Sequence, residues 1–439
     1  MGDNDKMNDV KIIRRFPSGI ITMPPSKSLS HRAVICAALA AVGDATMLPA
    51  ERRAEGESFI YRIGDSEDVA ATLEGIRALG VGVLRKDRTL RVFPAGGPVG
   101  NGRVIDCGES GSTLRFLIPV YALDEKETVF TGRGRLFQRP MDVYKRVFAD
   151  AGVEFVQETD RIKVRGPLRG GTYSLPGDVS SQFVSGLLFA LPLTGEDSEL
   201  HLESPLQSCQ YVDLTIDVMA RFGVRVKQPD DMRFLIPKGQ RYHPAEYIVE
   251  ADYSQAAYFL AAAALGCDVW CDGLDPLSKQ GDRAILDVLE EMGAMIIRED
   301  GLVTARADRL SAVKVDARDI PDLIPPIAAL CCFCDGKSEI INAGRLRFKE
   351  SDRLHAMASE LTKLGAKIVE GEDSLGIEGS KSLRGGRVDA WGDHRIAMSM
   401  ALAAIRCEEP VELTGWQNVN KSYPGFWDDF EKEELKEEL

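Results

Sequence analysis

Residues 284–305 read AILDVLEEMGAMIIREDGLVTA. Ile285, Val288, Leu289 and Met292 fall on one face of a helix, the spacing of an amphipathic surface helix. Gly293 follows, where a left-handed C-terminal cap favours a residue without Cβ. Beyond it, alternating side chains flank an acidic turn and read as a hairpin. The same order recurs around Gly80, Gly152, Gly223 and Gly365, at intervals of 70–72 residues. Leu354, Met357, Leu361 and Leu364 repeat the helical stripe before Gly365, and VEFVQETDRIKV (153–164) repeats the hairpin after Gly152.

A second helix belongs to each repeat and is apolar all round, which places it inside. The runs include SGSTLRFLIPVYAL, SSQFVSGLLFALPL and DHRIAMSMALAAI, and the expected openings are Ser28, Ser112, Ser181, Ser254, Asp322 and Asp393. Six such helices against five glycines imply six units, with the sixth completed by the chain ends. KIIRRF would supply its strand and FWDDFEKEELKEEL a terminal helix. A chain of 439 residues is too long for one comfortable core. The fold class is therefore α/β, with two similar three-unit domains around buried helices. Crossovers at Pro24–Pro25 and near Glu250–Asp252 divide the chain into a discontinuous domain, 1–24 plus 251–439, and an inserted domain, 25–250, with the active site expected in the cleft between them.

A formal net charge of −14 argues against nucleic-acid binding, which needs a basic surface. Apolar runs such as Ala256–Leu265 are too short to cross a bilayer, which takes about 20 residues. The opening MGDNDKMNDV lacks the apolar core of a secretory signal, so a cytoplasmic protein is expected. Cys331, Cys332 and Cys334 lie in an apolar stretch and read as buried, reduced thiols, with no metal site expected.

An acidic protein that handles anions must concentrate its cations locally. Buried helices that begin near one another offer free N–H groups and positive dipole ends to an anion. Charge stands at those starts: Lys27 and Arg32, Arg115, and His394 with Arg395. Loops add Arg135 and Arg139, Lys349 and Arg353, and Lys421. Such a set suits substrates rich in phosphate and carboxylate. Asp322 and Glu350 are carboxylates among these cations, candidates for general acid–base work. Taken singly, Asp322 could equally be a helix cap and Glu350 a surface carboxylate.

The motifs PPSKSLSHR, ESGSTLRFL, GRGRLFQRP, DVSSQFVSGLL, SCQYVDLT, IPDLIPPIA, RFKESDRL, GDHRIAMSMA and NKSYPG occur in that order. With them the chain resembles the 5-enolpyruvylshikimate-3-phosphate synthase family over essentially its whole length. The resemblance implies two domains of three βαβαββ units, an inside-out α/β barrel architecture, and transfer of the enolpyruvyl group of phosphoenolpyruvate to the 5-hydroxyl of shikimate 3-phosphate without metal or cofactor. It implies that Lys27, Ser28, Arg32, Ser180, Ser181, Gln182, Ser208, Tyr211, Asp322 and Lys349 hold shikimate 3-phosphate. For phosphoenolpyruvate it implies Lys27, Gly111, Arg135, Gln182, Arg353, Arg395 and Lys421. Catalysis would fall to Asp322, Glu350 and Lys27, in a monomer inhibited by glyphosate. Glu109, Phe116 and Arg345 depart from the common pattern beside Gly111 and Lys349.

The sister transferase that acts on UDP-N-acetylglucosamine carries a reactive cysteine in its loop, whereas no cysteine lies between Cys107 and Cys209. A non-catalytic repeat scaffold would share the period but has no need of charge at buried helix starts.

Overall fold

The structure is a computed structural model that describes residues 10–47, 56–95 and 103–432. It divides into two compact units, Pro25–Glu250 and Met1–Pro24 with Ala251–Leu439, each characterised through its described residues.

In Pro25–Glu250 the helices are α1 (Lys27–Met47), α2 (Glu67–Arg77), α3 (Gly111–Tyr121), α4 (Asp142–Ala151), α5 (Ser181–Ala190) and α6 (Cys209–Arg221). α1, α3 and α5 supply the centre of the core, and α2, α4 and α6 contribute only an apolar face. α3 packs along α5, where Phe116 meets Phe189 edge-on at 5.4 Å. Burying each such side chain stabilises the fold by roughly 1.5–3 kcal/mol.

The unit has three four-stranded sheets built to one plan. A leading strand pairs parallel with a second, which continues antiparallel into a hairpin. Arg103–Asp106 runs parallel to Thr128–Thr131, which pairs antiparallel with Arg161–Arg165, itself hairpinned to Glu154–Gln157. The first repeat borrows its leading strand from the far end of the unit, where Glu246–Ile248 runs parallel to Ser58–Tyr61.

The other unit repeats the arrangement with α7 (Tyr253–Ala264), α8 (Ile285–Glu291), α9 (Ile324–Cys331), α10 (Arg353–Lys363), α11 (His394–Ala404) and α12 (Phe426–Phe430). Here α7, α9 and α11 are the buried helices. Both chain ends complete it as expected. Val10–Ile13 pairs antiparallel with Val411–Thr414, Gly19–Thr22 runs parallel to Val269–Asp272, and Phe426 of α12 packs 5.9 Å from Phe259. The expected terminal helix also covered 433–439, which lie outside the described residues.

The repeat glycines Gly80, Gly152, Gly223, Gly293 and Gly365 all have left-handed φ, between 69° and 103°. A side chain there would be strained, so the period is written in backbone geometry.

The helix openings need correction. Side-chain caps come from Ser110 on α3, Ser180 on α5, Asp252 on α7 and Asp393 on α11, and Ser26 Oγ accepts from the Leu29 N–H in α1. Ser28, Ser112, Ser181 and Ser254 are thus helical residues past the cap. Asp322 is not a cap either: α9 begins at Ile324 behind Leu323, and the Asp322 carboxylate is taken by arginines.

Candidate active site

The starts of α9 and α11 and the turn before α10 gather a dense set of charges in the Ala251–Leu439 unit. Asp322 Oδ1 lies 3.0 Å from Arg353 Nη1 and 3.6 Å from Lys349 Nζ, while its Oδ2 lies 2.9 Å from Arg395 Nη2. Arg353 also donates to Glu350 Oε2 at 2.6 Å and to Asp393 Oδ2 at 2.8 Å. Arg395 reaches Ser254 Oγ at 2.6 Å and the Asp322 carbonyl at 2.9 Å. Ser351 donates to Asp393, whose other oxygen caps the Arg395 N–H. Lys421 Nζ donates to the Gly392 carbonyl at 2.5 Å.

Burial separates these groups into two layers. Arg353 and Asp393 are enclosed, with side chains 2% and 0% exposed, whereas Asp322 keeps 22% and Glu350 15%. The two outer carboxylates can therefore meet a small molecule while the inner pair holds the frame. His394 is buried behind them beside Asp393.

Burial pushes the Asp322 carboxyl up, but Arg395, Lys349 and Arg353 together outweigh it and hold the group well below the usual range. Asp393 is likewise held low, burial being overcome chiefly by Arg353. Burial pulls the Lys349 ammonium down to about 8, with Asp322 opposing and the charges of Arg353 and Arg345 assisting. Arg345, one of the departures from the family pattern, thus acts on Lys349.

The Pro25–Glu250 unit holds a different kind of cluster, rich in amide and hydroxyl groups. Gln182 Oε1 accepts from Arg115 Nη1 at 2.8 Å, and Gln182 Nε2 donates to Ser112 Oγ at 3.0 Å. Gly111 opens α3 beside them: a Cβ there would stand 2.6 Å from Arg139 Nη1 and 3.6 Å from Gln182 Oε1. Arg139 is held by the Glu109 carbonyl at 3.4 Å. Arg32 donates to Thr215 Oγ1 and to the carbonyls of Ser28 and Tyr211, with Phe116 5.2 Å beneath its guanidinium. Phe116, a second departure, is thus a platform for a cation. Lys27 Nζ is 2.7 Å from Asp68 Oδ2.

Behind this surface His31, Thr72, Thr113 and Ser110 form a buried hydrogen-bonded relay, with successive contacts of 2.7, 2.6 and 2.8 Å. Burial first, then the charges of Lys27 and Arg32, hold the His31 imidazole well below its ordinary value, so it stays neutral.

Asp322, Lys349, Glu350, Arg353 and Arg395 are gathered in one cluster, with Lys421 on the turn that supports it. In the other unit Gly111 and Gln182 share a nest, Arg32 ties Ser28 to Tyr211, and Ser180 caps α5 beside the buried Ser181. Ser208 opens α6 with a left-handed φ of 57°. Arg135 is exposed on its loop, and Arg139 rather than Arg135 lies against Gly111. Sequence reasoning missed Asp68 as the partner of Lys27, Asp393 as the brace of Arg353, and Ser351 as a donor to Asp393.

The sequence profile of the EPSP synthase (3-phosphoshikimate 1-carboxyvinyltransferase) family matches residues 14–430. The chain is 43% identical to the 3-phosphoshikimate 1-carboxyvinyltransferase of Clostridium novyi (strain NT) over 437 residues, covering 97% of each. It is also 43% identical to that of Clostridium perfringens (strain ATCC 13124), covering 94% of this chain and 95% of the relative. Among solved structures, the EPSP synthase of Acinetobacter baumannii superposes with a TM-score of 0.76 at 25% identity, covering 96% of this chain and 97% of that one. The enolpyruvyl transferase NikO of Streptomyces tendae shares the fold with a TM-score of 0.75 at 17% identity, over 96% of both chains.

Proposed function

The chain belongs to the EPSP synthase family, and we propose which of its residues carry that family's reaction. It transfers the enolpyruvyl group of phosphoenolpyruvate to the 5-hydroxyl of shikimate 3-phosphate and releases phosphate. The observation that carries the residue assignment is the pair of reachable carboxylates, Asp322 and Glu350, hydrogen-bonded to one buried arginine, Arg353.

As the 5-hydroxyl oxygen bonds to C2 of phosphoenolpyruvate, its proton passes to Asp322. Glu350 exchanges the proton at C3, giving one on addition and recovering one on elimination. The C2–O bond to phosphate then breaks, and overall the hydroxyl proton leaves with the phosphate. In the free protein Arg395, Lys349 and Arg353 hold Asp322 ionised. Anionic substrates compete for those cations and thereby raise the basicity of Asp322 when it is needed.

Arg353, Arg395, Lys421, Arg135 and Gly111 receive phosphoenolpyruvate, and Gln182 and Lys27 touch both substrates. Ser28, Arg32, Ser180, Ser181, Ser208, Tyr211, Asp322 and Lys349 receive shikimate 3-phosphate. The same reading makes the protein a cytoplasmic monomer in which glyphosate competes with phosphoenolpyruvate.

Phosphate release tests the proposal. Release with shikimate 3-phosphate and none with UDP-N-acetylglucosamine is expected, and the reverse preference would overturn the acceptor. EDTA should leave the rate unchanged.

A further inference from the structure

Glu360 lies outside every motif used above. It stands on α10 seven residues past Arg353, and its side chain is fully buried. A carboxylate inside a protein needs donors around it. Lys363 Nζ stands 2.7 and 2.8 Å from its two oxygens. The Asp389 backbone N–H donates to Oε2 at 3.0 Å, and the Trp391 indole N–H donates to Oε1 at 2.6 Å.

The last two donors belong to the segment that leads into α11. That segment bends through two successive left-handed residues, Trp391 with φ of 54° and Gly392 with φ of 65°. Tryptophan adopts such a φ only under constraint from its surroundings. Glu360 supplies the constraint on the indole, while the ring meets His355 edge-on at 5.5 Å and the Trp391 N–H donates to Asp389 Oδ1 at 2.6 Å. The bend delivers two groups to the site. Gly392 offers its carbonyl to Lys421, and Asp393 caps α11 and braces Arg353.

We propose that Glu360, acting through Trp391, is a positioning residue for phosphoenolpyruvate binding, because it holds the turn that fixes Gly392 and Asp393 against Lys421 and Arg353. The inference rests on the assignment of Arg353, Arg395 and Lys421 to phosphoenolpyruvate.

Two variants of the full chain test it. Glu360→Gln keeps the shape of the side chain but replaces one acceptor oxygen with an NH2 group facing other donors. Trp391→Phe keeps the ring near His355 and removes only the indole N–H, so it remains informative if Glu360→Gln fails to fold. Each should raise KM for phosphoenolpyruvate about tenfold and leave KM for shikimate 3-phosphate within about twofold, since a lost buried hydrogen bond is felt at the groups it positions. The double variant should be no worse than the poorer single one, because both break the same contact. A lowered melting temperature with both KM values unchanged overturns the inference, and so do additive effects. Arg395→Lys, measured alongside, separates the premise from the inference. If it too leaves KM for phosphoenolpyruvate unchanged, the substrate assignment falls and the inference with it. If it raises that KM while Glu360→Gln and Trp391→Phe do not, the positioning inference alone falls.

Discussion

The two units share one repeat plan and carry different chemistry. In Ala251–Leu439 the helix starts bring carboxylates against arginines: Asp322, Glu350 and Asp393 all bond Arg353. In Pro25–Glu250 the equivalent starts present Gln182, Ser112, Arg115 and Gly111, joined by neutral and singly charged hydrogen bonds. The first cluster is built on titratable carboxylates around arginines, and the second on amide, hydroxyl and guanidinium groups beside the Lys27–Asp68 pair. A repeated scaffold thus fixes where a site can form, while the side chains at each helix start decide what it does.

The comparison breaks most visibly in turnover. Asp322→Asn and Glu350→Gln should each lower kcat by about 10²–10⁴-fold, the usual contribution of a general acid or base, with smaller changes in shikimate 3-phosphate binding. Ser180→Ala and Gln182→Ala in the other unit should act mainly on KM. Steady-state kinetics on the four proteins decides. An equal loss of kcat on both sides would erase the distinction.

Stability should divide the same way. Arg353→Met removes a buried guanidinium and leaves Asp322, Glu350 and Asp393 without their common partner, a loss of about 3–5 kcal/mol for a broken buried ion pair. Lys27→Met removes the ion pair with Asp68, whose ammonium is 17% exposed against 2% for the Arg353 guanidinium, and should cost less. Denaturant unfolding measures both. The same cluster sets the acid limb. Asp322 and Asp393 are held below their unfolded values, so their stabilisation is present above the ordinary carboxylate range and lost as pH falls towards the depressed values. Arg353→Met should flatten that limb.

The parts of this division that were legible in the sequence follow from physics that acts locally. A left-handed cap admits Gly365 and rejects most alternatives, so the period could be read directly. The buried helices announced themselves by continuous apolarity. Their caps were misplaced by one or two residues because Ser110 and Ser112, Ser180 and Ser181, and Asp252 and Ser254 offer equivalent hydroxyls or carboxylates within one turn, and only backbone φ chooses between them. The candidate site residues were legible as motifs. Their partners were not, because Asp68 lies 41 positions from Lys27 and Asp393 40 from Arg353, and no local pattern encodes such pairings.

A pH titration sharpens the comparison further. Lys349 in the free protein loses its proton near pH 8, and only the ammonium attracts a phosphate dianion. Affinity for shikimate 3-phosphate should therefore fall as pH rises past about 8, by up to about tenfold per pH unit when one protonation controls binding. Lys349→Arg should move that limb upward, because guanidinium keeps its charge. Asp322→Asn should move it downward, since the carboxylate is the group that opposes the fall. A limb that stays in place in both variants would assign the titration elsewhere.

The smallest expected effect concerns ligand length, in the unit that holds rather than reacts. Gly111→Ala should weaken glyphosate about fivefold more than phosphoenolpyruvate, the size of a modest steric cost of roughly 1 kcal/mol. Alanine is at home in a helix, so the backbone of α3 tolerates the change. Its methyl would stand 2.6 Å from Arg139 Nη1 and 3.7 Å from Arg115 Nη1, so one guanidinium must move. Arg139 Nη1 is the far end of a flexible side chain, and the prediction is that it shifts into the space a ligand would use. The longer ligand loses that space first. Glu109 bears on the outcome, since its carboxylate also packs over Gly134 in the loop that carries Arg135. The measurement is a pair of inhibition constants at fixed shikimate 3-phosphate, with KM for phosphoenolpyruvate from the same titrations. Equal shifts for both ligands would mean that Arg139 yields without narrowing the pocket, and that Gly111 serves packing rather than selection.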